Sequence, residues 1–168
     1  MIKYQLLTDS AENFGTHTEK DPEMYFAYKS ELWDILGCDP YPESVVYSWY
    51  YDLLMAKTFH IKIFDDDTLI GFIFIAVGDD CPKQFDFYIW DCYIKPEYRG
   101  NRIVSDYMHD FISDHPGKYC FFLIDENVSA RNMWTNIFNS LGYSEFQFEK
   151  SDDILLMESE KMHFHGYK

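Results

Sequence analysis

The chain has only three arginines in 168 residues. Two of them frame one short turn, Arg99-Gly100-Asn101-Arg102, which leads from an apolar strand pattern into a helical one. The third, Arg131, stands at the start of the last helical pattern. A strand-to-helix turn presents backbone N–H groups that lack intrahelical partners, at the positive end of a helix, and this is an anion site. A glycine there lets the backbone approach a phosphate closely. The chain carries 29 acids against 14 lysines and arginines, a net charge of −15. Scarce arginines gathered at one helix start therefore read as charge compensation for a bound anion. The alternative is a set of surface arginines paired with Glu97, Asp106 or Glu126, and both readings stand at this point.

Proton transfer has its own candidates. An alkylammonium has a pKa of about 10.4 in water, so an amine nucleophile needs a base. Near the turn the available groups are Asp91, Glu126 and the phenols of Tyr88 and Tyr93. Glu126 and Asp91 have structural readings too, an acid favoured by a helix N-terminus and a half-exposed strand acid. Cys92 has no histidine placed to activate it, so covalent catalysis through sulfur is not expected. His163-Phe164-His165 reads as a solvated tail, because no further ligand stands at a metal-binding spacing. Asp65-Asp66-Asp67 reads as a hairpin turn, lacking the terminal Glu of a calcium loop.

The elements that must position these groups are legible in the patterning. Ile2–Thr8 reads as a strand. Asp21-Pro22-Glu23 predicts a helix start, with Asp21 as the cap, Pro22 at the first helical position and Glu23 in the first turn. The stripe Tyr25, Tyr28/Lys29, Leu32/Trp33, Leu36 follows, closed by Gly37. A second helix opens at Pro42-Glu43-Ser44. Strands over 58–64 and 69–77 form a hairpin, and 85–94 is a third strand of this group, with Phe85, Phe87 and Ile89 on one face and Asp86, Tyr88 and Trp90 on the other. A helix with the stripe Ile103/Val104, Tyr107/Met108, Phe111/Ile112 leads to a buried strand over 119–124, and a crossover of that length implies a parallel pair. A last helix from about Ser129 to Leu141 and a closing hairpin over 143–148 and 154–160 complete the order β-αα-β-β-β-α-β-α-β-β. The fold class is α/β (mixed α+β), a mixed sheet with helices on both faces, as a single domain over 1–168.

Composition narrows the partners. Hydrophobic residues make up 47% and charged residues 26%, the balance of a globular domain able to bury a full core. The acidic balance argues against a non-specific nucleic-acid binder and against docking on anionic lipid. The apolar run over 69–77 is too short to span a bilayer. Four cysteines (Cys38, Cys81, Cys92, Cys120) without a CxxC spacing read as free thiols in a reducing, cytoplasmic setting.

The element order, together with the segment Ile94-Lys95-Pro96-Glu97-Tyr98-Arg99-Gly100-Asn101-Arg102-Ile103-Val104-Ser105 and with Ser140-Leu141-Gly142-Tyr143, resembles the GNAT superfamily of N-acetyltransferases, as a divergent member, with a viral source as one option. The resemblance covers nearly the whole chain in element order. It implies acetyl-CoA as co-substrate and no metal. The turn Arg99, Gly100, Asn101, Arg102, Ile103, Val104 would wrap the pyrophosphate. Arg102 stands where that family's first glycine is expected and Val104 where Gly/Ala is, so a branched side chain is expected to crowd the phosphate. Backbone N–H groups of Cys92, Tyr93 and Ile94 would hold the thioester and pantetheine, and Arg131 and Phe138 would lie beside the groove on the last helix. Glu126 falls where ribosomal-protein acetyltransferases place their base. Tyr88 takes the place of the histone-type glutamate, and Phe138 that of the tyrosine that protonates the leaving thiolate.

The implied reaction is direct attack of a primary amine, of a small molecule or a protein, in a ternary complex. Trp33, Asp34, Asp39, Tyr41 and Glu43 would suit a cationic acceptor. The oligomeric state is open, a homodimer included. The competing reading, from another class, is a GNAT-fold binding or structural module without catalysis.

Overall fold

The computed structural model describes residues 1–124, 126–143 and 161–163. Six strands form the sheet in the order β1-β2-β3-β4-β5-β6. They are β1 (Ile2–Leu7), β2 (Thr58–Asp65), β3 (Thr68–Val77), β4 (Phe87–Ile94), β5 (Tyr119–Ile124) and β6 (Lys161–His163). The helices are α1 (Ser10–Gly15), α2 (Lys20–Leu36), α3 (Glu43–Met55), α4 (Ile103–Asp114) and α5 (Val128–Ser140). β1 to β4 pair antiparallel, and β4 pairs parallel with β5 across the α4 crossover, as the crossover length requires. The mixed sheet with helices on both faces is thus as expected. The expected closing hairpin lies outside the described residues. His163, read as part of a tail, belongs instead to β6, which pairs antiparallel with β5.

Each face of the sheet has its own core. Ile61, Ile63, Ile73, Ile75 and Ile89 pack with Met108, Phe111, Trp134 and Phe138 of α4 and α5. Phe72, Phe74 and Tyr93 pack with Tyr25, Trp33, Tyr50 and Leu54 of α2 and α3. Alternation along β2 and β3 produces this division, since successive side chains leave opposite faces.

Two local features differ from the sequence reading. Helix α1 was not anticipated; its six residues are too few to show a helical period, though Asp9 caps it by accepting from Glu12 N at 2.8 Å. Asp21 is not the cap of α2, which begins at Lys20 after Glu19 with no side-chain cap. Asp21 is instead buried and ion-paired with Lys62 of β2. A buried ammonium attracts the carboxylate more strongly than an exposed helix end does.

The feature that shapes the site is a bulge in β4. Ile75 of β3 pairs with Ile89 and its neighbour Phe74 pairs with Asp91, so Trp90 is an extra residue. Ile89 faces the α4/α5 core, and the extra residue turns Asp91 and Tyr93 to the α2 face. β4 and β5 pair only over Phe87–Ile89 against Tyr119–Phe121. Beyond the bulge the two strands part.

Candidate active site

The parted strands open a cleft with two connected parts. One is a cavity of about 370 Å³ bounded by α2, the end of β4, the start of α4 and the start of α5. The other is a gap of about 90 Å³ between β4 and β5, reaching from Trp90–Cys92 to Phe121–Ile124. Tyr28, Leu32, Cys92, Asn127 and Ala130 line both.

The start of α4 borders the cleft. Among the described residues no side chain caps this helix, as none caps α2 or α3, while Asp9 and Asn127 cap α1 and α5. Its first intrahelical bond runs from Asp106 N to Arg102 O at 2.8 Å. The N–H groups of Ile103, Val104 and Ser105 therefore have no intrahelical acceptor, and all three residues line the cavity. The turn achieves this orientation through two left-handed residues, Gly100 at φ 78° and Arg102 at φ 60°. This explains why glycine suits the Arg102 position: an L-residue pays about 1 kcal/mol there. Val104 does not crowd the opening with its side chain, which is buried in the α4/α5 core. What Val104 offers the cavity is its backbone.

At the other end, the edge of β4 beyond the bulge faces the gap. Lys95 N donates to Ile70 O at 2.9 Å. Antiparallel ladders alternate, so Tyr93 and Asp91 bond to β3 while Cys92 and Ile94 turn their N–H groups to the opposite edge, into the gap. Of the three residues Cys92, Tyr93 and Ile94, all of which line the cavity, Tyr93 thus contributes its side chain instead of its amide. Gly71 of β3 permits the arrangement, because a Cβ there would stand 2.5 Å from Tyr93 O. The Cys92 thiol is pushed up to about 12 by burial and by the Asp91 charge. A thiol so disposed is not a nucleophile at neutral pH.

The arginines have definite partners. Arg99 Nη2 lies 2.6 Å from Glu31 Oε2, and Arg99 Nε donates to Ile94 O at 3.0 Å. Arg102 Nε lies 3.1 Å from Asp106, both on the surface. Asp106 was among the surface partners weighed from sequence; Glu31 was not. Asn101 holds the turn from outside, donating to Tyr98 O and Arg99 O, and does not line the cavity. Arg131 is half-buried on α5 and also lies off the cavity lining.

Asp91 borders the gap and is 5% exposed. Its oxygens accept from Tyr25 at 2.9 Å, from Tyr28 at 2.8 Å and from the Lys29 ammonium at 2.9 Å. Burial, then the Asp91 charge, raises both phenols well above their ordinary range, so they remain donors. A carboxylate with three donors is a fixed acceptor and not a free base. Glu126 is exposed in the β5–α5 turn and lines neither cavity, but its neighbour Asn127 lines both.

Phe138 is the clearest correction to the expected site. It is fully buried, stacked on Phe121 with centroids 5.8 Å apart and packed against Tyr143 at 5.1 Å. The residue belongs to the core and not to the groove. Phe138→Tyr is accordingly expected to lower stability by about 1–3 kcal/mol, by burying a hydroxyl without a prepared partner, and to leave turnover unimproved. Chemical denaturation and a rate assay check the two halves.

Sequence reasoning missed the wall supplied by α2: Tyr28, Glu31, Leu32 and Ile35 all line the cavity. The available signal was Lys29, a charge standing inside an apolar stripe. Trp33 is buried in the α2/α3 core, and Asp34, Asp39, Tyr41 and Glu43 do not line the cleft. The described residues contain no cluster of three or more histidines, cysteines or acids suited to a metal ion. Among them, no helix is long and apolar enough to cross a membrane.

The fold has relatives of known structure. A diaminobutyrate acetyltransferase from Paenibacillus lautus, solved with its substrate L-2,4-diaminobutyric acid and coenzyme A, superposes with a TM-score of 0.60 at 10% identity, over 99% of this chain and 95% of that one. An acetyltransferase from Thermus thermophilus gives 0.63 at 13% identity, over 97% and 96%. The ribosomal-protein-S18-alanine N-acetyltransferase from Escherichia coli gives 0.56 at 11%, over 100% and 96%. No curated protein sequence matches the chain. The model of the acetyltransferase (GNAT) family matches residues 20–138, from the start of α2 to the last turn of α5. On that match the chain belongs to the GNAT family of acetyltransferases.

Proposed function

We propose that this protein, as one domain over 1–168, transfers acetyl from acetyl-CoA to a primary amine by direct attack in a ternary complex. One observation supports this above others: the uncapped start of α4 opens on a cleft that continues into the gap between β4 and β5. The cleft offers amide donors where the pyrophosphate would lie. At the far end it offers the Cys92 and Ile94 amides, facing the place a thioester carbonyl would occupy. Acetyl-CoA supplies the activated acyl group and a thiol leaving group. The chain supplies alignment, with Leu32, Ile35 and Met133 giving an apolar wall for the pantetheine arm.

For the proton, Glu126 is the proposed base. Its carboxylate has no hydrogen-bond partner among the described residues, and it stands beside the lining residue Asn127. Asp91 is assigned to holding Tyr28 and Lys29 against the bulged strand. The net charge of −15 favours a cationic acceptor, a small molecule or a protein, over nucleic acid or an anionic membrane. Four free cysteines suit a cytoplasmic location.

Calorimetric titration with CoA, followed by turnover against a panel of amines, tests the proposal; no heat of binding to the folded protein would end it. Glu126→Gln is expected to lower kcat about 100-fold and remove the acidic limb of the rate–pH profile, with CoA affinity unchanged. Asp91→Asn should keep that limb. If the limb vanishes in Asp91→Asn and survives in Glu126→Gln, the two roles are reversed.

A further inference from the structure

The cleft contains a carboxylate where an anionic cofactor is to bind. Glu31 comes from α2 and lines the cavity together with Arg99 from the β4–α4 turn. Both of its oxygens are engaged: Oε2 with Arg99 Nη2 at 2.6 Å, Oε1 with the Tyr93 hydroxyl at 3.0 Å. The guanidinium is held equally firmly. Its Nε donates to Ile94 O at 3.0 Å, and its central carbon lies 5.5 Å from the Tyr93 ring centroid. The three side chains form one unit that ties α2 to β4 across 62 positions of sequence and to the β4–α4 turn across 68. Glu31 and Arg99 are 34% and 45% exposed, so the unit borders the open cavity.

We infer that Arg99 serves this groove as the counter-ion of Glu31, and not as a ligand of the pyrophosphate. The inference rests on the acetyl-CoA reading above and concerns which charges the cofactor meets. Turning Arg99 to a phosphate would strand the Glu31 carboxylate beside the same anion. It would also forfeit the bond to Ile94 O, whose residue shapes the thioester end. Left in place, the pair presents no net charge, and the amides of α4 together with the unshared N–H groups of Arg102 meet the phosphates. Glu31 and Tyr93 are then positioning residues. They fix the guanidinium, and through it the last residue of β4.

A double-mutant cycle on CoA affinity, read by calorimetry at two salt concentrations, decides the matter. Arg99→Ala is expected to weaken CoA about 10-fold, because it exposes an unpaired carboxylate to the phosphates. Glu31→Gln alone is expected to tighten CoA by up to a similar factor, because it leaves the guanidinium charge uncompensated beside the same phosphates. The double variant Arg99→Ala/Glu31→Gln is expected to return to within about 3-fold of wild type, with the wild-type dependence on salt. A merely structural loss would not be rescued by removing a second contact. Circular dichroism on each variant confirms the fold, both residues being partly exposed. If the double variant binds as weakly as Arg99→Ala, Arg99 is a phosphate ligand and the inference is overturned. A wild-type protein that binds no CoA overturns the inference and the cofactor reading together, which separates the two failures.

Discussion

Asp21→Ala is expected to destabilise the fold by about 3–5 kcal/mol, lowering Tm by about 10 °C. Lys62 enters the α2/α3 core from the middle of β2, and its ammonium meets the Asp21 carboxylate and Thr16 O, the latter at 2.8 Å. The two side chains are 3% and 4% exposed. Thr18 at 2.6 Å and Tyr50 at 3.3 Å donate to the remaining lone pairs of Asp21. Removing the carboxylate leaves a buried ammonium with one carbonyl, and this is the costly arrangement. Removing both charges is not: Asp21→Ala/Lys62→Met is expected to lie within about 1 kcal/mol of wild type, because an uncharged, apolar filling replaces two desolvated ions. Urea unfolding at neutral pH measures both. A loss under about 1 kcal/mol in the single variant would mean that the ammonium escapes into the adjoining cavity of about 720 Å³ and rehydrates there.

The same pair shows where sequence reading reaches its limit. Asp21-Pro22-Glu23 has every local mark of a helix start, and a helix does begin there, two residues early. What the local marks cannot reveal is a lysine on a strand 41 positions away that claims the carboxylate. Alternation placed Tyr88 and Trp90 on one face of β4, and their rings do stack, with centroids 5.7 Å apart. The bulge that follows leaves no trace in composition, yet it decides that Asp91 meets α2 and that the strands part. The strand-to-helix turn was legible because its marks are local, a glycine between an apolar strand pattern and a helical one; the partners of its arginines, Glu31 and Asp106, were only half so, since Glu31 lies 68 positions away. The α2 wall was not, because Tyr28 and Glu31 become part of the cleft only when two elements far apart in sequence are packed together. Phe138 failed for a related reason. Counting positions along a helix assigns a residue to a place in the motif, but the angle at which α5 lies on the sheet decides which face reaches the groove. Here Trp134, Ile137 and Phe138 all face the core.

Stability is expected to fall steeply with acid through one buried histidine. His60 is 1% exposed, stacked on Phe74 with centroids 4.1 Å apart, and its Nδ1 has no hydrogen-bond partner among the described residues. Burial, then the Lys62 charge and His17, push its pKa down to about 3. Above about pH 6.5 the ring is neutral in folded and unfolded chains alike, and the pH has no effect through it. Below that value the unfolded chain binds a proton that the folded chain refuses, so stability drops by about 1.4 kcal/mol per pH unit until the folded ring itself titrates near pH 3. The window from pH 6.5 to 5 isolates the effect, because carboxylates with ordinary pKa values of about 4 are still ionised there. The expected loss across that window is about 2 kcal/mol. His60→Leu keeps the apolar contact with Phe74 and has nothing to protonate, so its unfolding free energy should lack that contribution while matching wild type at pH 7 within about 1.5 kcal/mol. Urea titrations of both proteins at the two pH values make the comparison, the remaining histidines being common to both. Equal slopes would mean that His60 is protonated in the folded protein, which would place a second cation beside Lys62 and require a counter-ion in a core whose Asp21 carboxylate is already paired.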